Sequence, residues 1–377
     1  VWHAFQRACE DVSLCQGGAL CYSKPIGSIL LADMQALNPQ LMPAVPRVFE
    51  AVYDGVMRTM RKTGGIVYSL FRFFTNVALI QSKLGRKLFR KEARFKKDNI
   101  VLIWIGCLIP WLILSPLKAL GGKLVFSKIR SKLGNRFVGG VSGGGAFPPA
   151  IDEFFWAVGV NVVEGYGLTE TSPIIALNPM EHFKIESVGQ FFAPYMEMRI
   201  ADPDENGVGE VQVKGPMVMK GYYNMPEATA EVFTEDGWFK TGDLGKLDSE
   251  NYLYLAGRAK NMIVTEGGKN VFPEEIENAF QLFTDIEQIT VQGYIMDEAT
   301  KSEGIEALIY PAEDLFKRLN VMRGTPESVD PVYSAISDLV AKVNKDAASY
   351  AKISKITILE EPLEMTTTKK VKRNYNK

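Results

Sequence analysis

Apolar positions fall into distinct regimes along the 377 residues. Over residues 1–61 they mix helical and strand-like spacing around a middle punctuated by Asn38-Pro39 and Pro43-Ala44-Val45-Pro46, and the periodicity then predicts a helix over 47–60. Over 62–135 Val67, Leu70, Phe71, Phe74, Val77, Leu84 and Leu88 recur at helical spacing. Residues 82–99 carry eight Lys/Arg against two acids, which predicts a basic amphipathic helix. Residues 100–117 follow, eighteen positions without a charge, with Pro110 expected to break the middle and Pro116 the end. As a helix this run spans ~27 Å, just short of the ~30 Å hydrocarbon core of a bilayer. Three readings are open: a membrane-docking element with cations at anionic headgroups, a full span, or a core helix kinked at Pro110.

From Phe137 the pattern changes to that of an α/β enzyme. Residues 137–141 read as a strand, 142–146 as a tight loop, 148–158 as a helix opened by proline and acids, 161–163 as a second strand and 164–170 as a Gly-punctuated loop. Strand, loop, helix, strand predicts parallel pairing. Residues 187–256 alternate short strands with turn signals and predict a barrel-like or distorted sheet. Beyond Arg258 the order is strand 262–264, a Gly267-Gly268 turn, a helix from Pro273, strands 288–294 and 306–310, a helix over 331–345, a strand over 355–359 and a basic tail. The expected organisation is a large α/β portion over 1–256, interrupted by a hydrophobic and basic insertion over 62–135, and a small α+β domain over 257–377.

Composition narrows the function classes. The net formal charge is −1, from 43 basic and 44 acidic residues, and 46% of residues are hydrophobic, which argues against disorder and gives no nucleic-acid signature. Cys9, Cys15, Cys21 and Cys107 contain no CxxC pair and fit neither a disulfide framework nor a zinc knuckle, so a reducing compartment is expected. The start, Val1-Trp2-His3-Ala4, has no Met, basic n-region or cleavage pattern, and reads as a fragment whose left side is missing.

Several segments carry candidate chemistry. Ser142-Gly143-Gly144-Gly145 after a strand suits a nucleotide-cradling turn, since glycine admits a ligand close to backbone, or a plain strand-to-helix turn. Gly165-Tyr166-Gly167-Leu168-Thr169-Glu170 places an aromatic face, a hydroxyl and a carboxylate together, suited to a base, a phosphate and a hard cation, or is a chance polar loop. Asp243, in Trp238-Phe239-Lys240-Thr241-Gly242-Asp243, could accept both hydroxyls of a ribose or merely satisfy its own turn. Arg258, in Gly257-Arg258-Ala259-Lys260-Asn261, offers a planar guanidinium for phosphate or ribose oxygens, or is a solvated basic turn.

The order and spacing of SGGGA, GYGLTE, GWFKTGDLG, GRAKNMIVTEGGKNVFPEEIE and TTTKKVKR resemble those of the adenylate-forming acyl-CoA synthetases. Trp2-His3 through Arg7-Ala8-Cys9-Glu10, Ala44-Val45-Pro46-Arg47-Val48-Phe49-Glu50 and the hydrophobic insertion are similar to the long-chain fatty acid branch, so the resemblance covers essentially the whole chain. It implies the remainder of a large multi-subdomain adenylate-forming α/β domain plus a small mobile C-terminal domain. It also implies a two-step reaction: a fatty acid carboxylate attacks the α-phosphate of ATP, releasing pyrophosphate, and the thiol of coenzyme A then displaces AMP. Mg²⁺ and positioned cations would offset the charge of two approaching anions.

Carried over by the resemblance, Tyr166 would stack on adenine, Gly145 line the base pocket, Gly167 and Thr169 meet the nucleotide, and Glu170 hold Mg²⁺. Asp243 would take the ribose hydroxyls with Arg258 beside it, and Lys260 would be the hinge of the small domain. Gly267 and Gly268 would let the pantetheine arm pass, and His3 stands where the acyl pocket begins. Lys370 matches the catalytic lysine; the family has Gly before it and this chain has Lys369, so the register is open by one residue. The family's Ser/Thr/Gly-rich phosphate loop ending in Pro-Lys-Gly is absent from these 377 residues, so weak adenylation by them alone is expected. Two alternatives remain, a ligase that loads an acyl carrier protein and a truncated nucleotide- or lipid-binding paralogue. The expected location is the cytoplasmic side of a membrane, peripheral or monotopic.

Overall fold

Prolines and glycines set the frame of the first helices. In the computed structural model, which describes residues 3–24, 27–95, 99–265, 268–297, 302–365, 371 and 373, helices α1 (Ala4–Cys15) and α2 (Gly27–Leu37) lead into strand β1 (Leu41–Ala44). Helix α3 (Pro46–Thr63) starts on a proline, whose missing N–H costs nothing at a first helical position, and buries Phe49, Val52 and Val56, in line with the periodicity over 47–60. Helices α4 (Gly65–Leu88) and α5 (Ile100–Gly121) follow, and a π-helical turn joins α5 to α6 (Ser127–Lys132). Then come β2 (Gly139–Ser142), α7 (Pro149–Val158), β3 (Asn161–Gly167), β4 (Ile174–Leu177) and β5 (Gln190–Phe191).

These strands form one sheet in the order β1-β2-β3-β4-β5. The first three are parallel, with Leu41 opposite Gly139 and Gly140 opposite Val162; the β2–β3 pairing is the predicted one, and β1 joins it as a third parallel strand, while β4 and β5 are antiparallel. A core of Phe49, Phe71, Phe126, Phe154, Phe155 and Val162 packs the helices together and onto the sheet. A second sheet, β6 (Glu197–Ala201), β7 (Gly209–Lys214), β8 (Phe239–Leu247) and β9 (Leu253–Arg258), follows in that order, with α8 (Pro226–Val232) before β8. It is an open four-stranded sheet and not the barrel-like form of the prediction.

The chain divides into two units, Val1–Thr241 with Gly245–Leu255, and Gly242–Leu244 with Ala256–Lys377. The second contains β10 (Ile263–Val264), β11 (Asn270–Val271), α9 (Pro273–Phe280), β12 (Ile286–Asp297), β13 (Ser302–Pro311), α10 (Glu313–Leu319), α11 (Pro326–Asp346) and β14 (Lys355–Ile358). Strands β12 and β13 pair antiparallel and β14 runs parallel to β13, over a core of Val291, Ile305, Ile309, Phe280, Leu315 and Ile336.

Four local expectations are corrected. The basic run over 82–99 is not one helix: α4 ends at Leu88 and Arg90 turns the chain with φ +57°. Several of its cations are held within the protein: Arg86 pairs with Glu153 on α7, Lys91 Nζ donates to the Glu181 carbonyl at 2.7 Å, and Arg94 meets Glu250 at 2.9 Å. Neither Pro110 nor Pro116 breaks α5, because α4 supports it: Trp111 packs where Gly85 lacks a Cβ, and Gln81 donates to Ser115. The core-helix reading of 100–117 is overturned, since the most apolar eighteen-residue window of the continuous rod Ile100–Lys132 has none of its residues buried. Helix α11 begins at Pro326 rather than Pro331: Pro326 takes the first helical position, and the Ser328 hydroxyl donates back to the Thr325 carbonyl at 2.7 Å.

Candidate active site

The segment read as a loop over 164–170 is mostly strand. β3 runs through Gly167 because Glu164, Gly165 and Tyr166 keep pairing: Gly165 lies opposite Leu177 and Tyr166 opposite Ala176 on β4, with an irregularity before Gly167. Gly167 is obligatory here, since a Cβ would sit 1.7 Å from the Pro173 carbonyl oxygen. Tyr166 is half-buried against an apolar cluster that includes Ile175, Val211 and Leu253, as is Leu168.

One 3₁₀ turn, Thr169–Thr171, presents the next two candidates. Thr171, fully buried, fixes it: its hydroxyl accepts from the Leu168 amide at 3.1 Å and lies 3.0 Å from the carbonyl oxygens of Leu168 and Pro173. Thr169 stays exposed and Glu170 is half-buried. The Glu170 carbonyl accepts from the Met219 amide at 2.7 Å, and its Oε1 accepts from the Tyr222 hydroxyl at 2.9 Å. Burial first, and then the Glu170 carboxylate, raise the Tyr222 phenol above its ordinary value, so it remains a donor. Tyr222 also lines an open pocket of about 510 Å³ with Lys220, Asn224 and Phe233.

The Ser142-Gly143-Gly144-Gly145 turn draws in the start of the chain. His3 caps α1, its Nδ1 accepting from the Phe5 amide at 3.2 Å, and its ring lies against the turn, 4.0 Å from where a Gly144 Cβ would stand. Gly144 has φ +78°, and Gly145 beside it is half-buried. Two buried carboxyls stand close by: Glu164, opposite Ser142 on β3, and Asp152 on α7. Burial raises both well above the usual carboxylate range, the Asp152 carboxylate adds to the rise at Glu164, and Asp152 Oδ1 has no hydrogen-bond partner among the described residues.

In the second unit Asp243 and Arg258 are brought together, Arg258 Nε lying 3.0 Å from Asp243 Oδ1, with the carboxylate buried and the guanidinium half-exposed. Lys260 is exposed in the 3₁₀ turn Ala259–Asn261, and neighbouring Asn261 donates to Glu274 at 2.5 Å. Gly268, φ +67°, donates to the Thr265 carbonyl at 2.8 Å in the turn between β10 and β11. Gly267, Lys369 and Lys370 lie outside the described residues. Tyr222, Thr171, Glu164 and Asp152 were not singled out as functional from the sequence. The Gly221-Tyr222-Tyr223-Asn224 run was the available signal for Tyr222, but Glu170 lies 52 positions away from it.

A family model described as AMP-binding enzyme matches residues 1–223. The chain belongs to that family. It is 31% identical over 405 residues, 99% of this chain and 53% of the relative, to the Long-chain-fatty-acid–[acyl-carrier-protein] ligase AEE15, chloroplastic, of Arabidopsis thaliana. It is 34% identical over 355 residues, 91% and 54%, to the Long-chain-fatty-acid–CoA ligase FadD15 of Mycobacterium bovis. This member of the family therefore spans about half the length of the curated relatives it matches. Among solved structures, the adenylation domain of a carboxylate reductase from Mycobacterium chelonae shares its fold, with TM-score 0.59 and 21% identity over 90% of this chain and 45% of that one. The o-succinylbenzoate coenzyme A synthetase of Bacillus subtilis, in complex with ATP and magnesium ion, matches with TM-score 0.50 and 28% identity over 64% of this chain and 46% of that one.

Proposed function

We propose that this AMP-binding family member serves the ATP-dependent activation of a long-chain fatty acid to its acyl-adenylate and transfer of the acyl group to coenzyme A. The observation that carries the reading is the Thr169–Thr171 turn, where backbone close-packing at Gly167 and the Tyr222 hydroxyl hold the Glu170 carboxylate in one place. A carboxylate fixed in this way fits Mg²⁺, a hard cation that takes oxygen ligands with little tolerance in geometry. When bound, the ion would draw charge from the phosphate oxygens.

The chain's own residues would do the rest by positioning. Tyr166, clamped into β3 by its pairing, would give adenine a flat face; Thr169 would donate to a phosphate oxygen; Asp243, its charge held by Arg258, would accept from ribose hydroxyls. Lys370, or Lys369, would bring an ammonium to the oxygens exchanged in adenylate formation. The long-chain substrate is supported by the names of the relatives. The acyl-carrier-protein ligase among them supports a second reading, in which the acceptor is a carrier's pantetheine thiol.

Thermal unfolding of the 377-residue chain tests the nucleotide part. AMP is expected to raise the midpoint and a non-hydrolysable palmitoyl-adenylate analogue to raise it further, as ligands of the native state do. No response to either overturns the reading; a response to AMP alone overturns the long-chain part. Supplying palmitoyl-adenylate with coenzyme A or with acyl carrier protein, and identifying the thioester formed, separates the acceptors.

A further inference from the structure

The rod Ile100–Lys132 has the length and apolarity to cross a bilayer, with a mean hydropathy of 2.3 in a window none of whose residues is buried. Helix α4 covers one side of it antiparallel: Phe74 fills the space left by Gly121, Gly85 and Phe89 meet Trp111, and Lys118 Nζ donates to Gln81 and Ser82 at 3.0 and 2.8 Å. The outward side presents Val101, Ile105, Ile109, Leu112 and Ile113, each more than half exposed. A contiguous apolar stripe of this kind in water marks a surface that is covered in use.

Charge complementarity identifies the cover. From Asn99 through Ile151 the sequence has six Lys/Arg and no Asp or Glu. Lys123, Lys128 and Arg136 are exposed, and Lys83 and Lys87 are exposed on neighbouring α4. A second copy of this chain would bring like charges face to face, whereas lipid phosphates neutralise them. A full span would carry Ser115 and Lys118, both tied to α4, into hydrocarbon.

We propose that the outward face of α5 docks on an anionic lipid bilayer, lying in the interface with its aliphatic stripe at the acyl boundary and the flanking cations at the phosphates. The test is sedimentation of the 377-residue chain with phosphatidylcholine vesicles, with and without phosphatidylglycerol. Binding to the anionic vesicles is expected, falling about tenfold or more in high salt or with phosphatidylcholine alone. The Ile105→Glu/Ile109→Glu variant is expected to lose binding with an unchanged unfolding midpoint. Should it fail to fold, Lys83→Glu/Lys87→Glu is expected to abolish the preference for anionic lipid, and quenching of Trp104 fluorescence by brominated lipid reads insertion in the unaltered chain. The proposal is overturned if the chain stays in the supernatant with anionic vesicles, if both variants bind like the parent, or if the chain is a dimer that the isoleucine variant splits while vesicles have no effect.

Discussion

Helices α5 and α7 are both built almost wholly of apolar residues, and the fold treats them oppositely. α7 buries Ile151, Phe154, Phe155, Ala157 and Val158 among the surrounding helices and sheet, whereas α5, the more apolar of the two, buries only Gly121. The difference lies in the neighbours. α7 is surrounded by partners of complementary shape: Phe49 meets Phe155, Tyr53 meets Phe154, and Phe154 meets Phe155, each edge to face. α5 has α4 on one side, and its other side faces outward. Apolar composition thus fixes what a helix avoids, and the surfaces around it decide whether that is met within the protein.

Truncation breaks or sharpens this contrast with the largest effect. Phe155→Ala, at a site with no exposure, is expected to lower unfolding free energy by about 3–5 kcal/mol in urea denaturation. Ile105→Ala, on the outward face of α5, is expected to stay within about 0.5 kcal/mol. A comparable cost at both positions would show that α5 is packed in water after all.

Next in size is Gly167→Ala. A Cβ pressed on the Pro173 carbonyl forces β3 and β4 apart, and overpacking of this kind costs about 1–3 kcal/mol. Because Tyr166 and the Thr169–Thr171 turn flank it, stabilisation by AMP is expected to be lost as well. Full retention of the AMP response would separate the turn from the nucleotide.

The buried carboxyls of α7 and β3 give a pH-dependent contrast that α5, free of acids, lacks. Burial raises the folded-state value of Asp152 and of Glu164 above that of the unfolded chain, so the folded protein binds more protons and stability falls as pH rises above the unfolded carboxylate range. Asp152→Asn, which mimics the protonated acid, is expected to flatten that decline between about pH 5 and 8. An unchanged slope in urea midpoints across that range would place the pH dependence elsewhere.

How much of this was legible follows from where each signal sits. GYGLTE could be picked out because aromatic, hydroxyl and carboxylate lie within six adjacent residues, and local order suffices to present them. Its secondary structure was misread because Gly165 and Gly167 look like loop formers, while in the fold they are strand residues that let β4 come close. The parallel β2–β3 pair was readable from strand, helix, strand succession, whereas the place of β1 beside β2 was not, since its four residues lie almost a hundred positions away. The end of α4 was not, because what stops it is the use of Lys91 and Arg94 by Glu181 and Glu250, residues far along the chain. Exposure of α5 was equally hidden, as the same eighteen apolar letters would fit a core, a span or an interface.

Tyr222→Phe is the smallest change and the one that asks most directly whether the turn is a built site. It removes one hydroxyl and leaves the ring. The hydrogen bond to Glu170 is charge-assisted but only part-buried, so about 1.5 kcal/mol of stability, the low end for such bonds, is expected to go with it. If the phenol only packs, that loss is the whole effect, and the midpoint shifts given by AMP and by Mg²⁺-ATP both match the parent's. If it orients the carboxylate, the AMP shift stays and the additional shift given by Mg²⁺ with ATP shrinks, because only the metal-dependent increment uses Glu170. The two shifts come from one unfolding experiment on one variant, and a loss confined to the AMP shift would remove Tyr222 from any role through Glu170.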